Sequence, residues 1–386
     1  MQHGSEGLRR RVYVLSGFDP RGSSFYYRLF VEQLQAYAAR TGRPLKVGRR
    51  RAQSDGLVSS WHVVDNGQRV LEVAFLHWDD IVRDHWPKHP LVIAWQGFRF
   101  ALWYLLRGGL IRIAQLCPSV ALCGLYPLLF AGVCGVALGL LAVLVFALVA
   151  QLLAAPAGAL LAGLLAATTA AGVVLALIPR CWQLADREGV VWLFRSILFT
   201  HRLGQARDGA LRRRLAELAD RIVEIETEQP AQRVELVGHS SGSFVMAMLA
   251  ATLRRHSGYG GLAERLSLLS LGQNLANLAV HRGATAFHDD LRTLAQTPRI
   301  PWLDITSRDD YLCFAAVDPY RSCGLTIEPP AYPQLQLVDL AQRQGLESWW
   351  ALITDQFPLH FQYLQTAPPE LQGGFDYFEH LLGTKS

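Results

Sequence analysis

From Ile113 to Pro179 the chain carries no Asp, Glu, Lys, Arg or His. A run of that length outlasts the roughly 20 residues one helix needs to cross a bilayer, and it fits two crossings joined by a short turn. Buried helix pairs of soluble proteins rarely lose every charge over such a stretch. We therefore expect a transmembrane hairpin with helices near 118–147 and 154–178, turning around Gln151 and Pro156. Lys88, Arg99, Arg107 and Arg112 precede it, Arg180, Arg187, Arg195 and Arg202 follow it, and the turn is uncharged. Positive flanks stay inside, so both polar parts of the chain are expected to face the cytoplasm.

Two smaller features attach to this hairpin. Gly135 and Gly139 stand four apart, as do Ala159 and Gly163, a spacing that lets helices approach closely, either within the hairpin or between copies in a homo-oligomer. The segments "GFRFALWYLLRGGLIR" (97–112) and "WLFRSILFTHR" (192–202) interleave arginines with Trp, Tyr and Leu, the composition of helices at a membrane interface that could collar an apolar substrate.

Outside the hairpin, composition excludes more than it suggests. Thirty-seven basic against 32 acidic residues give a formal charge of +5, too mild for a nucleic-acid partner. The local "GRRR" at 48–51 reads as a solvated strand end or a contact for anionic lipid. The charged start "LRRRVYVLSGF" leads into an apolar run too short for a signal peptide, so it reads as a first strand and the six cysteines are expected in a reducing compartment. Their positions show no paired metal-ligand spacing, which argues against zinc and disulfides. No P-loop or dinucleotide fingerprint follows a strand, and no cofactor is expected.

The polar parts alternate strand-like and helical stretches. Before the hairpin come "RVYVLSG" (11–17), a helix from about Ser24 to Thr41, and β-like runs at 45–50, 58–64 and 70–77. After it come an amphipathic helix (208–228), "RVELVG" (233–238), a helix from Ser243 to His256, and strands at 266–272, 300–307 and 335–340. Unbroken apolar strands between helices indicate a mostly parallel α/β sheet covered on both faces. Neither part has enough strands alone. The expected organisation is one α/β domain in two pieces, 1–96 and 183–386, interrupted by an interfacial helix and hairpin over 97–182.

Within the second piece lies "VELVGHSSGS". Gly238-His239-Ser240-Ser241-Gly242 is G-x-S-x-G between a strand and a helix, the setting of a nucleophile elbow, in which Ser240 takes strained backbone angles and Gly238 and Gly242 leave room for the turn. On this motif and its context the chain resembles the α/β-hydrolase superfamily, in particular bacterial membrane-anchored lipase- or esterase-like members. That resemblance implies partners in the order serine, acid, histidine, and a bacterial inner-membrane location. After "IPWLDITS" the strand-end loop offers Asp310, with Asp309 and then Asp318 as alternatives. "FPLHFQYL" offers His360 at a loop-to-helix transition. His380 belongs to a terminal helix, and the side chain of His239 must point away from that of Ser240. The resemblance further implies an oxyanion hole from the N–H of Ser241 and of a residue after the first strand, here Phe18 in "LSGFDPRG", although Ser16-Gly17 stands where the family often has His-Gly. Asp19 and Arg21 could pair to shape that loop, or Arg21 could bind a phosphate head group.

Three residue types are needed because a serine hydroxyl is a weak nucleophile until an imidazole takes its proton and a carboxylate orients that imidazole. The expected activity is a serine hydrolase that cleaves an apolar, lipid-like acyl ester. The alternatives are an acyltransferase using the same acyl-enzyme, and a non-enzymatic membrane module that keeps the fold.

Overall fold

The computed structural model describes residues 8–86, 89–106, 108–329, 331–340, 356–367 and 375–383. The chain divides into two compact units, one drawn from 1–86, 111–120 and 199–386, the other from 87–110 and 121–198.

The first unit is mixed α/β. Its sheet has nine strands among the described residues: β1 (Arg10–Leu15), β2 (Lys46–Val47), β3 (Arg51–Ala52), β4 (Val58–Asp65), β5 (Gln68–Leu76), β6 (Arg233–His239), β7 (Leu266–Leu271), β8 (Trp302–Thr306) and β9 (Gln334–Leu337). The order is β2-β4-β5-β1-β6-β7-β8-β9, with β3 also on β4. Strands β5, β1 and β6 to β9 are parallel, while β4 runs antiparallel to β5, β2 and β3. The hydrophobic strand interiors follow from burial on both faces: Tyr13, Leu236 and Leu268 point into one apolar cluster, Val12, Val237 and Leu269 into another. Helices α8 (Gly209–Glu228), α9 (Gly242–Arg255) and α11 (Thr285–Ala295) pack on the first face through Leu215, Ile222, Leu249 and Leu291. Helix α1 (Gly22–Thr41) covers the second through Phe30, Leu34 and Tyr37.

One expected strand resolves differently. Of the β-like 45–50 run only the two-residue β2 is a strand, with the two-residue β3 just beyond it; between them the His62 ring fills the space beside Gly48, whose N–H donates to the His62 carbonyl at 2.8 Å.

The topology places a site. From β1 the chain goes to the β5 side, and the later strands build outward from β6 on the other side. In such sheets the crevice at the carboxyl ends of the two strands flanking the reversal is where ligands bind. Here those ends are Leu15, leading to Gly17, and His239, leading to Ser240.

The second unit takes in α3 (Pro90–Leu106), most of α5 (Pro118–Ala157), all of α6 (Ala159–Arg187) and most of α7 (Val190–Leu203). Helices α5 and α6 are long and apolar enough to cross a membrane: the most apolar 18-residue windows within Pro118–Pro156 and Ala159–Arg187 have mean hydropathy 2.9 and 2.2. They outrun the expected limits of 147 and 178. The first continues through Pro156 to Ala157, and the break falls at Gly158, whose φ of +74° is open to glycine and costly to other residues. The second continues past Pro179, since the loss of apolar character at Arg180 ends a membrane-compatible stretch without ending a helix. Within one copy, the glycine pair Gly135/Gly139 and Gly163 are not close-packing points, as a Cβ there would meet nothing within 4 Å. The buried small-residue ridge is instead Ala162, Ala166 and Ala170. The 97–112 segment is two helices rather than one: α3 ends at Leu106, Gly108 has φ +66°, and α4 (Gly109–Leu116) begins with Gly109 beneath the Tyr104 ring. Lys88 and Arg107 of the basic flank lie outside the described residues.

Candidate active site

Strand β6 delivers Ser240 at the carboxyl edge of the sheet, and α9 starts two residues later. Ser240 has φ +57°, a conformation that costs a non-glycine residue of order 1 kcal/mol or more and persists only where its surroundings enforce it. The enforcement is visible. Its N–H donates to Leu271 O at 2.9 Å, and its carbonyl accepts from Ser243 N at 3.0 Å and Ser243 Oγ at 2.6 Å. A Cβ on Gly238 would stand 2.6 Å from Gly242 O, and one on Gly242 would stand 2.3 Å from Leu15 O and 2.5 Å from Ser16 O. Both glycines are therefore steric requirements of the turn. Gly17 closes the other side: its missing Cβ would lie 3.0 Å from Ser240 Cβ and 3.4 Å from Ser240 Oγ.

The loop after β8 carries the acid. Asp310 is fully buried, and its Oδ2 is 2.6 Å from His360 Nδ1 while its Oδ1 accepts from Leu312 N at 2.9 Å. The two neighbouring acids are used otherwise. Asp309 accepts from Ser307 Oγ and Leu340 N, both at 3.2 Å, and Asp318 caps the short helix α12 (Pro319–Ser322) by accepting from Tyr320 N at 2.8 Å. His360 stands in α13 (Gln356–Phe361). With Nδ1 engaged by a carboxylate, that nitrogen carries the proton and Nε2 presents a lone pair. Nε2 is buried and has no hydrogen-bond partner among the described residues. A buried lone pair without a donor carries a desolvation cost, and one left open in this way is available to receive a proton.

Ser240 and His360 are held to the same few residues. Leu271 accepts from Ser240, and at Gly272 a Cβ would meet His360 Cε1 at 3.0 Å and the Tyr363 ring at 2.6 Å. His239 turns away from the serine, and its Nε2 lies 2.9 Å from the His360 carbonyl. Burial, then the neighbouring His360, pushes the His239 imidazole down to about 3, so it is neutral and donates that bond. The hydroxyl itself is met by Asn274, whose Nδ2 is 3.4 Å from Ser240 Oγ and 3.1 Å from Leu312 O. Asn274 N donates to Ser243 Oγ at 3.0 Å. Neither Asn274 nor Ser243 stands out in the sequence. The only available signal is the polar Gln273-Asn274 pair directly after an apolar strand.

Of the expected oxyanion donors, Ser241 is the N-cap of α9, and Phe18 lies next to Gly17 with its ring buried between Trp86 and Phe199. Asp19 and Arg21 form a two-point ion pair with a closest approach of 2.6 Å, and Tyr26 Oη donates to Asp19 at 3.0 Å. Arg21 also lies 3.6 Å from the centre of the Phe25 ring and 5.1 Å from that of Phe361, the residue after His360. The loop after β1 is thereby braced against α13.

No family model, curated protein or solved structure matches the chain, so the chemistry rests on this geometry. It assembles a strained, small-residue-flanked serine, a carboxylate-oriented imidazole with an open Nε2, and amide groups at a helix start. That set can activate a hydroxyl and receive its proton.

Proposed function

We propose that the chain is a membrane-anchored serine hydrolase of the α/β-hydrolase type, acting on an ester of an apolar acyl group. The observation that carries the reading is the Asp310–His360 pair at the same sheet edge as a serine with φ +57°. Ser240 Oγ attacks the acyl carbonyl as His360 Nε2 takes its proton. Asp310 holds the imidazole in the required tautomer and stabilises the imidazolium. The tetrahedral oxyanion is received by the N–H groups of Ser241 and Phe18, each worth about 3 kcal/mol in comparable sites. The alkoxide leaves with the proton from His360, and water repeats the sequence on the acyl-enzyme. In the apo state the serine–histidine bond is commonly loose and tightens on substrate binding, which fits the Ser240 hydroxyl resting near Asn274.

The hairpin and its basic flanks support an apolar substrate class and an α/β unit on the cytoplasmic side, and the resemblance to bacterial membrane-anchored members supports the bacterial inner membrane as the location. The test is labelling of the detergent-solubilised full chain by a fluorophosphonate, which modifies only activated serines. Wild type should label, Ser240→Ala should not, and His360→Ala should label at least a thousandfold more slowly. A folded wild-type protein that fails to label would overturn the proposal.

A further inference from the structure

At the opposite edge of the sheet from Ser240, by the amino ends of β1 and β5, lies a groove of about 1000 Å³. Arg9, Arg49, Arg51, Arg69, His62 and Glu72 line it, with Arg11 at its floor. Like charges do not gather in a concavity without cost, so where the compensating charge comes from decides what the groove is for.

Arg11 is accounted for by the fold. Its guanidinium is buried and bonded to Glu226 at 2.7 Å and to Glu72 at 3.0 Å, which also spends the one carboxylate of the lining. Arg49, Arg51 and Arg69 are exposed and form no ion pair among the described residues. The alternation of an extended chain explains the "GRRR" motif: Arg50 turns to the other side, donating to Ser23 Oγ at 3.0 Å, while Arg49 and Arg51 face the groove. Gly48 lets this segment lie against the His62 ring, so the arginines of one segment and the imidazole of β4 converge. Burial first, then Arg69 and Arg51, lowers the affinity of His62 for a proton, with Glu72 acting against them. A charged edge strand is an ordinary guard against aggregation, but that role calls for charges spread along an edge, not drawn from several segments into one cavity.

We propose that this groove is a binding site for a small, multiply charged phosphate-bearing anion. Guanidinium forks match phosphate oxygens in pairs, and several forks around one volume match a ligand with more than one negative charge. The volume is at the upper end for small-molecule sites. Nucleic acid fits less well, because base stacking needs an open aromatic face and the one aromatic side chain of the lining besides His62, Trp61, is buried with Tyr27 and Phe30 against its ring. The proposal stands independently of the chemistry at Ser240.

Calorimetric titration of the full chain in detergent, at low ionic strength, with sodium triphosphate and separately with soluble dibutanoyl phosphatidic acid, tests it. Saturable one-to-one binding is expected, weakened about tenfold in each of Arg51→Ala and Arg69→Ala and lost in the triple variant that adds Arg49→Ala. Arg213→Ala, an exposed arginine of α8 outside the groove, should bind as wild type. Tighter binding of triphosphate identifies a free polyanion, and tighter binding of the phosphatidic acid identifies a lipid head group. Thermal unfolding verifies the variants, and the single variants decide the matter if the triple one does not fold. No saturable binding of either probe overturns the proposal, as does an equal loss in Arg213→Ala or none in the triple variant.

Discussion

A serine at φ +57° is a statement about its neighbours more than about itself. Gly238 and Gly242 cannot be replaced without pushing a Cβ into backbone at 2.3–2.6 Å. Gly242→Ala is therefore expected to destabilise the α/β unit by about 3 kcal/mol or more, read as a fall in urea midpoint, and to abolish fluorophosphonate labelling. Asp310→Asn keeps a hydrogen-bonding partner for His360 yet favours the wrong tautomer. Its turnover on a medium-chain acyl ester should drop by about 10⁴ while the melting temperature moves little. Ser240, Asp310 and His360 could be picked out of the sequence as candidates because each sits beside a strand or helix boundary that the pattern marks. Choosing Asp310 over Asp309 was a matter of preference there, and only the 2.6 Å contact to His360 separates them. Asn274 was not legible, since its role depends on β7 lying beside β6, and no local pattern encodes which strands are neighbours.

At the scale of elements, the hairpin was the plainest reading and its ends the least accurate. Absence of charge marks where a helix can be in lipid, whereas backbone conformation at Gly158 marks where it stops. Helix α5 presents Leu140, Val143 and Leu144 at 65–68% exposure. A double Val143→Arg, Leu144→Arg variant should shift the protein from the carbonate-resistant membrane fraction towards the soluble or aggregated fraction, because each arginine at mid-bilayer costs about 2.5–3.5 kcal/mol on insertion scales. The main strands read correctly from their apolar runs, while the short edge pieces β2 and β3 did not, since a ring packed on Gly48 has no signature in a linear pattern.

For the whole molecule, buried titratable groups set how stability changes with pH. His239 and His281 are neutral when folded, their imidazoles pushed down by burial to about 3 and about 4; the half-buried His201, also pushed down to about 4 chiefly by burial, adds in the same direction. Below about pH 6.5 the unfolded chain binds these protons and the folded chain does not, so stability falls with acid. Asp304 works oppositely. Its buried carboxyl, bonded to Ser270 Oγ, is pushed up to about 8 by desolvation. Between about pH 4 and 8 the folded state holds a proton that the unfolded state releases, which lowers stability by roughly 1.4 kcal/mol per pH unit. Two buried histidines outweigh one aspartate on the acid side, and only the aspartate acts above pH 6.5. Thermal melts should therefore peak near pH 6.5, and Asp304→Asn should flatten the decline from there to pH 8 while leaving the acid side in place.

The pairing of β1 with β6, Arg10 against Arg233 through Leu15 against Gly238, spans the entire hairpin. Chains emerge amino end first, and contacts distant in sequence form late. While the ribosome is still making the hairpin, β1 and β5 have no β6 to rest on, and the neighbourhood that strains Ser240 does not exist. Closure of the sheet thus waits until the whole apolar hairpin and then β6 have been made, and the strained turn at Ser240 exists only once that closure is complete.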